Sequence, residues 1–329
     1  MKPLVSFVIP VHDNSLFEIQ RCIGSIKKIK NLMYEILVID NNSSMQNSKL
    51  YKKLSKENNI NYFYTGEQGV GKARNIGITK AKGEYLSFVD ADDEIVPDFL
   101  DNLTFNKRID LYIFNIVVKN AKTTNILKIV TDNNNYISEK ELAYNLVTGF
   151  SLNNSVGKLF RRNFLINNNI FFTNMRSGED ATFIRDIIIM KPLTRHVGKN
   201  AYIYYEGVTN SRERLIKEPI EVYNDSKKIF LLKRTLAERL NINTEVVLYK
   251  INQEYIKGIS NNLLDLWNIN NKKADLVKEL ILKDIKPFNC NKNYSYMTNI
   301  RIQLLKSKSK ILINLFNYVR NLYLKMYKN

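Results

Sequence analysis

The chain has 329 residues, of which 44% are apolar and 25% charged, a normal balance for a globular protein with room for two domains. Its two cysteines, Cys22 and Cys290, lie far apart in no Cys-x-x-Cys pair, which argues against a disulfide scaffold or a zinc site and fits a reducing cytosol. Because no apolar run reaches about 18 residues, a transmembrane helix is not expected.

The net charge of +18 is concentrated near the C-terminus. Residues 1–110 hold 15 basic and 14 acidic side chains, whereas residues 285–329 hold nine Lys or Arg and no Asp or Glu. Such asymmetry predicts a polyanionic partner, either a membrane surface or a nucleic acid. No nucleic-acid-binding motif is recognisable, so the membrane surface is the favoured partner.

Apolar runs alternate with helical patterns in the first part of the chain. The runs predict strands at 4–11, 35–40, 60–64, 111–118 and 202–205, and a buried strand beginning at Tyr85. Helical spacing predicts helices at 15–29, 71–81, 138–147 and 179–190, and a polar helix that ends near residue 58. This alternation predicts right-handed βαβ units and a mostly parallel, Rossmann-like sheet flanked by helices. The strand at 111–118 is expected near a sheet edge, followed by a hairpin in 119–135.

From Pro219 onward, helical patterns dominate the sequence. They predict helices at about 220–240, 244–267, 273–284 and 299–327. No internal repeat is evident. We therefore predict an α/β domain over residues 1–212 and a helical C-terminal region over residues 213–329.

Three carboxylates, Asp90, Asp92 and Asp93, follow the buried strand that begins at Tyr85. Ligands of open α/β sheets bind at the carboxyl ends of the strands, so these side chains are candidate site residues. Their mutual repulsion calls for a cation, and carboxylate oxygens suit Mg²⁺ or Mn²⁺ shared with substrate phosphates. The alternative is a solvated acidic turn before a helix that Pro97 starts.

Two further features lie at the same predicted edge of the sheet. Asp40 ends the second strand, where it could accept hydrogen bonds from a base or ribose, or could cap the next helix in an Asx turn. The segment 69–77 places glycines at a loop-to-helix junction beside Lys72 and Arg74, which favours an anion. Its spacing is neither that of a Walker A loop nor that of a convincing dinucleotide-binding fingerprint.

The remaining candidates are polar residues in the second half of the α/β domain. Glu179 and Asp180 open a helix, where one of them could be a general base or both could simply complement the helix dipole. The basic residues Lys158, Arg161 and Arg162 could meet phosphate or form a solvated face, and Ser211 with Arg212 could reach a diphosphate. The histidines His12 and His196 are expected to pack or to form hydrogen bonds and not to ligate a metal.

The C-terminal segment predicts an amphipathic helix. Its apolar residues recur at helical spacing, at Ile311, Leu312, Leu315, Phe316, Val319, Leu322, Tyr323 and Met326. A basic helix of this kind can lie in a membrane surface, and the alternative is a core helix with a basic outer face. The absence of acidic residues favours the membrane interpretation.

Taken in order, these motifs resemble family 2 glycosyltransferases of the GT-A fold, of the type that builds bacterial capsule and cell-wall polysaccharides. The resemblance covers residues 3–212, and the motifs that carry it are VSFVIPVHDN at 5–14, EILVIDNNS at 35–43, GKARNIG at 71–77, GEYLSFVDADD at 83–93, KLFRR at 158–162 and GED at 178–180. The first strand usually ends Val-Tyr-Asn in such enzymes, whereas this sequence has Val-His-Asp. The helical tail lies outside the shared core.

The resemblance implies inverting transfer of a hexose or N-acetylhexosamine from a nucleotide sugar, most often UDP-linked. Asp180 would be the catalytic base, Asp92 with Asp90 in the D-x-D motif would hold Mn²⁺ or Mg²⁺, and Asp40 would bind uracil. The other implied nucleotide-binding residues are Pro10, Val11, His12, Asp13, Gly71, Arg74, Asn75, Ala91, Lys158, Ser211 and Arg212.

The expected acceptor is a saccharide or lipid-linked saccharide at the cytoplasmic face of the cell membrane, reached through the basic tail. Two alternatives are kept, a sugar-nucleotide pyrophosphorylase and a non-catalytic membrane-surface protein of the same fold. The first normally has a glycine-rich, arginine-containing loop after its first strand, where this chain has His12-Asp13-Asn14-Ser15. The sequence does not identify the sugar, the acceptor or the oligomeric state, and homo-oligomers stay open.

Overall fold

The computed structural model of the chain describes residues 2–120, 123–127, 136–149, 152–175, 177–206, 215–288, 290, 294–307 and 309–328. The chain divides into two compact units, Met1–Thr209 and Asn210–Asn329. Each unit has its own buried apolar side chains. The first unit is an α/β structure, and the described elements of the second are helices.

One mixed sheet forms the centre of the first unit. Its described strands are β1 (Val5–Val11), β2 (Tyr34–Asp40), β3 (Asn61–Tyr64), β4 (Tyr85–Phe88), β5 (Glu94–Ile95), β6 (Leu111–Lys119), β7 (Thr124–Leu127), β8 (Tyr136–Ile137), β9 (Lys158–Arg161) and β10 (Thr194–Tyr205). Their spatial order is β3-β2-β1-β4-β9-β6-β10-β5, with β7 paired to β6 and β8 paired to β10.

Six helices of the first unit are described beside this sheet. They are α1 (Leu16–Lys27), α2 (Met45–Glu57), α3 (Val70–Lys80), α4 (Glu139–Thr148), α5 (Arg162–Asn167) and α6 (Glu179–Ile189). Ser15 caps α1 in a full capping box with Glu18, and the Ser138 hydroxyl accepts from the Glu141 amide at the start of α4. The predicted α/β fold with helices flanking a central sheet is confirmed.

The four strands β3, β2, β1 and β4 form the parallel part of the sheet. Val11 and Asp40 are register partners at the carboxyl ends of β1 and β2, and β4 ends at Phe88 on the other side of β1. The same edge therefore presents the residues that follow three neighbouring strands. Beyond β4 most pairings are antiparallel, with β6 and β10 as the parallel exception. The sequence predicted a mostly parallel sheet, whereas parallel and antiparallel strand pairs are mixed in the described sheet.

The predicted edge position of the strand at 111–118 is wrong. β6 lies between β9 and β10, and its first six residues are buried. A continuous apolar run is typical of a strand covered on both faces, which is a central position. β9 was not predicted because it begins with Lys158 and ends with Arg161, so its pattern looked like a solvated basic segment. The expected hairpin exists in part, as β7 pairs antiparallel with β6, but residues 128–135 lie outside the described residues.

The second unit consists of helices in its described part. They include α7 (Pro219–Arg239), α8 (Glu245–Ile269), α9 (Asn271–Asp284), α10 (Tyr296–Lys306) and α11 (Lys310–Lys328). The single helix predicted at 299–327 is wrong, because Ser307 is extended and the Ser309 hydroxyl accepts from the Leu312 amide at the start of α11. Serine favours such capping positions over helix interiors. Among the described residues, none of the helices combines the length and hydropathy that crossing a bilayer requires.

Two helical glycines give a matched test of packing against the sheet. A β-carbon at Gly77 in α3 would overlap the side chain of Val8, which is fully buried in β1, whereas one at Gly24 in α1 would meet no heavy atom within 4 Å. We expect Gly77→Ala to lower the free energy of unfolding by about 1–3 kcal/mol through overpacking. Gly24→Ala should raise it by about 0.5–1 kcal/mol, because alanine is the better helix former.

Urea unfolding followed by circular dichroism measures both changes. Equal stability of the two variants would contradict the close approach of α3 to β1.

Candidate active site

The loop after β4 carries the acidic cluster and is held by residues from distant elements. The Tyr202 hydroxyl donates to the Asp93 carboxylate at 2.6 Å, and the Tyr205 amide donates to it at 2.9 Å. The Asp90 amide in turn donates to the Tyr202 hydroxyl at 3.1 Å. The Arg21 guanidinium of α1 donates to the Asp92 carbonyl. The loop is therefore fixed by both β10 and α1.

The three carboxylates of this loop have different surroundings. Asp93 is buried, and burial together with the charge of Asp90 raises its pKa to about 8. Burial and the same neighbour raise the pKa of Asp92 to about 6. Asp93 thus holds the loop from its buried side. Of the three carboxylates, those of Asp90 and Asp92 are the ones that a ligand can reach.

Arg74 of α3 brings the acidic loop and the start of α6 together. Its side chain is 4% exposed, and the guanidinium lies 2.9 Å from the Asp90 carboxylate, 2.8 Å from that of Asp180 and 3.5 Å from that of Glu179. The carbon of the guanidinium lies 5.3 Å from the centre of the Phe172 ring. Burial acts to lower the pKa of Arg74, but the three carboxylates outweigh it and the pKa is raised. We refer to Arg74, Asp90, Glu179 and Asp180 as the Arg74 cluster.

Asp180 is oriented by groups on both of its oxygens. Gly178 precedes α6 with φ of 83°, a left-handed conformation that glycine adopts without strain and that places Glu179 and Asp180 in the first turn. Asp180 Oδ1 accepts from Arg74, and Oδ2 accepts from the Ser155 amide at 3.3 Å. Its side chain is 22% exposed, so one fixed carboxylate remains accessible to a ligand.

Lys158 lies behind Asp180 and does not face solvent. Its ammonium group donates to the Asn154 carbonyl, the Asn154 side chain and the Val156 carbonyl at 2.7, 2.9 and 3.2 Å. Burial lowers its pKa to about 7, against the opposing effect of the Asp180 charge. The predicted phosphate contact of Lys158 is therefore corrected: its three protons hold the loop that supplies the Ser155 amide.

The predicted uracil contact of Asp40 meets a similar obstacle. The carboxylate is fully buried, with Oδ1 accepting from the Ser43 amide at 2.9 Å and Oδ2 from the Tyr62 hydroxyl at 2.7 Å. The hydrogen bond to the Ser43 amide agrees with the alternative role of Asp40 that the sequence left open, an Asx turn. Asp40 shapes the edge of the sheet and offers no exposed oxygen to a base.

Asp13 and His12 form the rim at the end of β1. Asp13 Oδ1 accepts from the Ser44 amide, the Ser44 hydroxyl and the Asn47 side-chain amide at 2.9, 2.8 and 2.8 Å, so it holds the residues at the start of α2. The hydrogen bond from the Ser44 amide is the largest cause of its lowered pKa. His12 Nε2 lies 2.8 Å from Gln68 Nε2, and its buried Nδ1 has no hydrogen-bond partner in the described part of the chain.

The other predicted nucleotide-binding residues are placed as follows. Pro10, Val11 and Ala91 are buried in or after strands, and both ends of the Asn75 amide bond the Phe172 backbone at 2.8 and 2.9 Å. A β-carbon at Gly71 would lie 3.1 Å from Phe172. Ser211 and Arg212 lie outside the described residues. His196 is buried with Nε2 3.3 Å from Asn115, as expected for a histidine that forms hydrogen bonds.

Sequence reasoning missed the residues that hold the site in place. Tyr202, Tyr205, Arg21 and Ser155 contact the acidic loop or Asp180 but belong to no motif. The signal for two of them was the run at 202–205, which predicted a short strand and gave no indication of its partners.

Comparison with known proteins adds the family. Residues 6–168 match the model described as glycosyl transferase family 2. The chain belongs to glycosyltransferase family 2. The match includes the sheet edge, Arg74 and the acidic loop, and it ends before α6.

Relatives of this glycosyltransferase align over parts of their length. GlyG of Streptococcus pneumoniae serotype 4 is 23% identical over 217 residues, 62% of this chain and 71% of GlyG. An uncharacterized glycosyltransferase of Rickettsia bellii is 37% identical over 89 residues, 27% of this chain and 13% of that protein. EpsH of Bacillus subtilis is 28% identical over 171 residues, which is 50% of this chain and 48% of EpsH. The chain thus covers less than half of the length of the Rickettsia bellii protein and of EpsH.

The fold of this glycosyltransferase is also that of S. aureus TarS. A crystal structure of TarS 1–349 in complex with UDP-GlcNAc superposes with a TM-score of 0.58 at 17% identity, covering 92% of this chain and 90% of that one. The likeness extends over most of the chain and confirms the GT-A fold with a helical C-terminal region.

Proposed function

We propose that this glycosyltransferase transfers a hexose or N-acetylhexosamine from a UDP-sugar to a saccharide or lipid-linked saccharide, with inversion, in the synthesis of a bacterial surface polysaccharide. Residues 1–212 would be the catalytic domain. The observation that carries the proposal is the Arg74 cluster, because one buried guanidinium fixes the acidic loop and the candidate base Asp180 in a single arrangement. The UDP-GlcNAc in the TarS complex supports the choice of donor.

The nucleoside end of the donor would lie at the rim formed by β1 and β2. His12 supports this placement, because its buried Nδ1 has no hydrogen-bond partner among the described residues and a base or ribose could supply one. Pro10, Val11 and Asp13 would shape the rim, and Asn75 and Gly71 would hold α3 against Phe172. The diphosphate would then lie toward Asp90 and Asp92.

A divalent cation, Mn²⁺ or Mg²⁺, fits the acidic loop when the donor phosphates complete its ligands. Asp92 and Asp90 would hold it. Burial and the charge of Asp90 raise the pKa of Asp92, and a bound cation would favour the charged form of that carboxylate. No group of three or more acidic, His or Cys side chains suited to a metal lies among the described residues, so the protein alone supplies only part of a coordination sphere. Such an ion, when bound, would neutralise the charge that develops on the departing diphosphate.

Inversion requires a single displacement and one base on the far side of the sugar. The Asp180 carboxylate would accept the proton of the acceptor hydroxyl as that oxygen attacks the anomeric carbon and the bond to the diphosphate breaks. Arg74 and the Ser155 amide would hold the carboxylate in one orientation during this step. No enzyme nucleophile is needed.

A screen of nucleotide sugars tests the proposal. We expect a UDP-sugar with Mn²⁺ to raise the unfolding temperature of the full chain, since a ligand at 100 times its Kd stabilises by about 2.7 kcal/mol. We also expect slow hydrolysis of that donor, which excess chelator abolishes and added Mn²⁺ or Mg²⁺ restores.

Full activity in excess chelator would refute the role of Asp92. A folded chain that neither binds nor hydrolyses any nucleotide sugar would favour the non-catalytic alternative. Formation of a nucleotide sugar from a sugar phosphate and UTP would favour a pyrophosphorylase, against which the family assignment speaks.

A second part of the proposal concerns the cytoplasmic face of the membrane. Helix α11 exposes Ile311, Leu315, Tyr318 and Val319 at helical spacing, with 80, 60, 63 and 55% of their surfaces accessible. Residues 285–329 contain nine basic and no acidic residues. An apolar face beside unbalanced positive charge suits the surface of an anionic bilayer.

Sedimentation with lipid vesicles tests this contact. We expect the full chain to bind vesicles rich in phosphatidylglycerol, and the triple variant Ile311→Ser, Leu315→Ser, Val319→Ser to lose most of that binding because the substituted side chains supply the buried apolar area. Met45→Ser, at an exposed position of α2, is the control and should bind as the wild type does. Unchanged binding of the triple variant would count against the role of α11.

A further inference from the structure

The helical unit contains a half-open cavity lined only by its own residues. Its volume is about 560 Å³, and helices α7 and α8 and the segment that follows α9 line it. Pockets of about 300–1,000 Å³ that combine aromatic walls with a few polar groups are typical of small-molecule sites. The cavity therefore has the size and the lining of a ligand site.

Aromatic rings form one wall. Phe230 and Tyr255 stack with their centres 4.3 Å apart, and Phe288 lies 5.8 Å from Phe230. Tyr294 also lines the cavity and stacks on Tyr249, with the two ring centres 5.2 Å apart. Aromatic faces carry partial negative charge and attract weakly positive C–H groups such as those on the apolar face of a pyranose ring.

A buried acceptor in the same cavity lacks a partner. The Asn252 amide group donates to the Tyr294 hydroxyl at 3.0 Å, but its Oδ1 is buried and accepts no hydrogen bond in the described part of the chain. An unsatisfied buried acceptor destabilises a fold, and a hydroxyl group of a ligand would supply the missing hydrogen bond.

The charge of the cavity is positive after its internal pairs are counted. Lys227 and the Tyr223 hydroxyl bond the two Asp284 oxygens at 2.8 and 2.7 Å, so the charges of Lys227 and Asp284 offset each other. The Arg234 guanidinium lies 5.7 Å from the Phe230 ring and has no carboxylate partner among the described residues. A guanidinium held over an aromatic ring is well suited to bind a phosphate or carboxylate.

We propose that this cavity binds a saccharide that carries an anionic substituent, a phosphate or a carboxylate. The aromatic wall would take the apolar face of the ring, Asn252 Oδ1 would accept from a ring hydroxyl, and Arg234 would pair with the anion. The proposal adds a binding site for a charged glycan to the helical unit and does not depend on the transfer chemistry.

A cysteine that lines the cavity can be used to measure whether a ligand is bound there. Cys290 lines it and is exposed, whereas Cys22, the other cysteine, is fully buried. Alkylation of the full chain by iodoacetamide, followed by mass spectrometry, therefore reports occupancy at Cys290. Saturating UDP in every sample keeps the proposed donor site filled, so protection at Cys290 reports the cavity alone.

We expect glucose 6-phosphate or glucuronic acid to slow alkylation of Cys290 at least threefold, and glucose or inorganic phosphate alone to slow it much less. Protection by only one of the two charged sugars would identify the anion and still support the proposal. No protection by either, or equal protection by inorganic phosphate or by glucose, would overturn it.

Two variants separate the site from a general effect. Arg234→Gln should abolish protection by the charged sugars, whereas Arg239→Gln, at an exposed position of the same helix and outside the cavity lining, should keep it. If Arg234→Gln does not fold, Asn252→Leu, which removes the unpaired acceptor, replaces it. Protection that survives in a folded Arg234→Gln or Asn252→Leu chain would overturn the proposal.

Discussion

Replacing Asp180 by asparagine is expected to lower the rate of sugar transfer by about 10²–10⁴-fold, the usual contribution of a positioned general base. The amide keeps the size of the carboxylate, and its oxygen can still accept from Arg74. It cannot take a proton from the acceptor hydroxyl. Donor binding should therefore persist, because the proposed donor contacts lie at the β1 rim and the acidic loop.

The measurement is kcat for transfer, or for donor hydrolysis until an acceptor is known, together with the Kd of the UDP-sugar. Glu179→Gln is the matched control, because Glu179 is the neighbouring carboxylate and also contacts Arg74, at the longer distance of 3.5 Å. It should lose much less activity. Turnover of Asp180→Asn at the wild-type rate would remove Asp180 from the mechanism.

Replacing Arg74 by methionine is expected to cost both stability and activity. The guanidinium is buried and pairs with three carboxylates, and removing one partner of a buried ion pair typically destabilises by about 3–5 kcal/mol. Asp90, Glu179 and Asp180 would then repel one another with no cation between them. Arg74→Lys should recover only part of the loss, because one ammonium group cannot reproduce the fork that reaches Asp90 and Asp180 together.

Urea unfolding and donor hydrolysis, measured on the same samples, test this expectation. The control is Arg185→Met, which removes a partly exposed pair with the adjacent Asp186 and should change stability by no more than about 1 kcal/mol. If Arg74→Met were as stable and as active as Arg185→Met, the Arg74 cluster would not be the centre of the site.

The sequence allowed the sheet edge and its acids to be predicted because these signals are local. An apolar run marks β1, β2 and β4, and the polar residue at the end of each run marks the edge. Which polar residues face a ligand could not be predicted in the same way. Asp40 and Lys158 carry suitable chemistry, yet both are buried, and their roles follow from hydrogen bonds that only the folded chain reveals.

The errors in the predicted fold also arise because local sequence signals do not reveal which elements will be neighbours. The apolar run of β6 specified a buried strand but not its neighbours. β9 has only four residues and carries charged residues at both ends, so its apolar centre was too short to predict a strand. The break between α10 and α11 was present in the sequence as Ser307 and Ser309, but the apolar periodicity on either side outweighed it. Periodicity identifies an element more securely than it locates the element's ends.

The acidic loop depends on partners far along the chain. Asp90 and Asp93 are separated by more than 100 positions from the Tyr202 that bonds both. A nascent chain in which Tyr202 has not yet been synthesised has the acidic residues but lacks the hydrogen bonds that fix them. Contacts between residues so far apart in sequence also form slowly. Chains that terminate before β10 would consequently lack an ordered acidic loop, and the loop would become ordered only after β10 has joined the sheet.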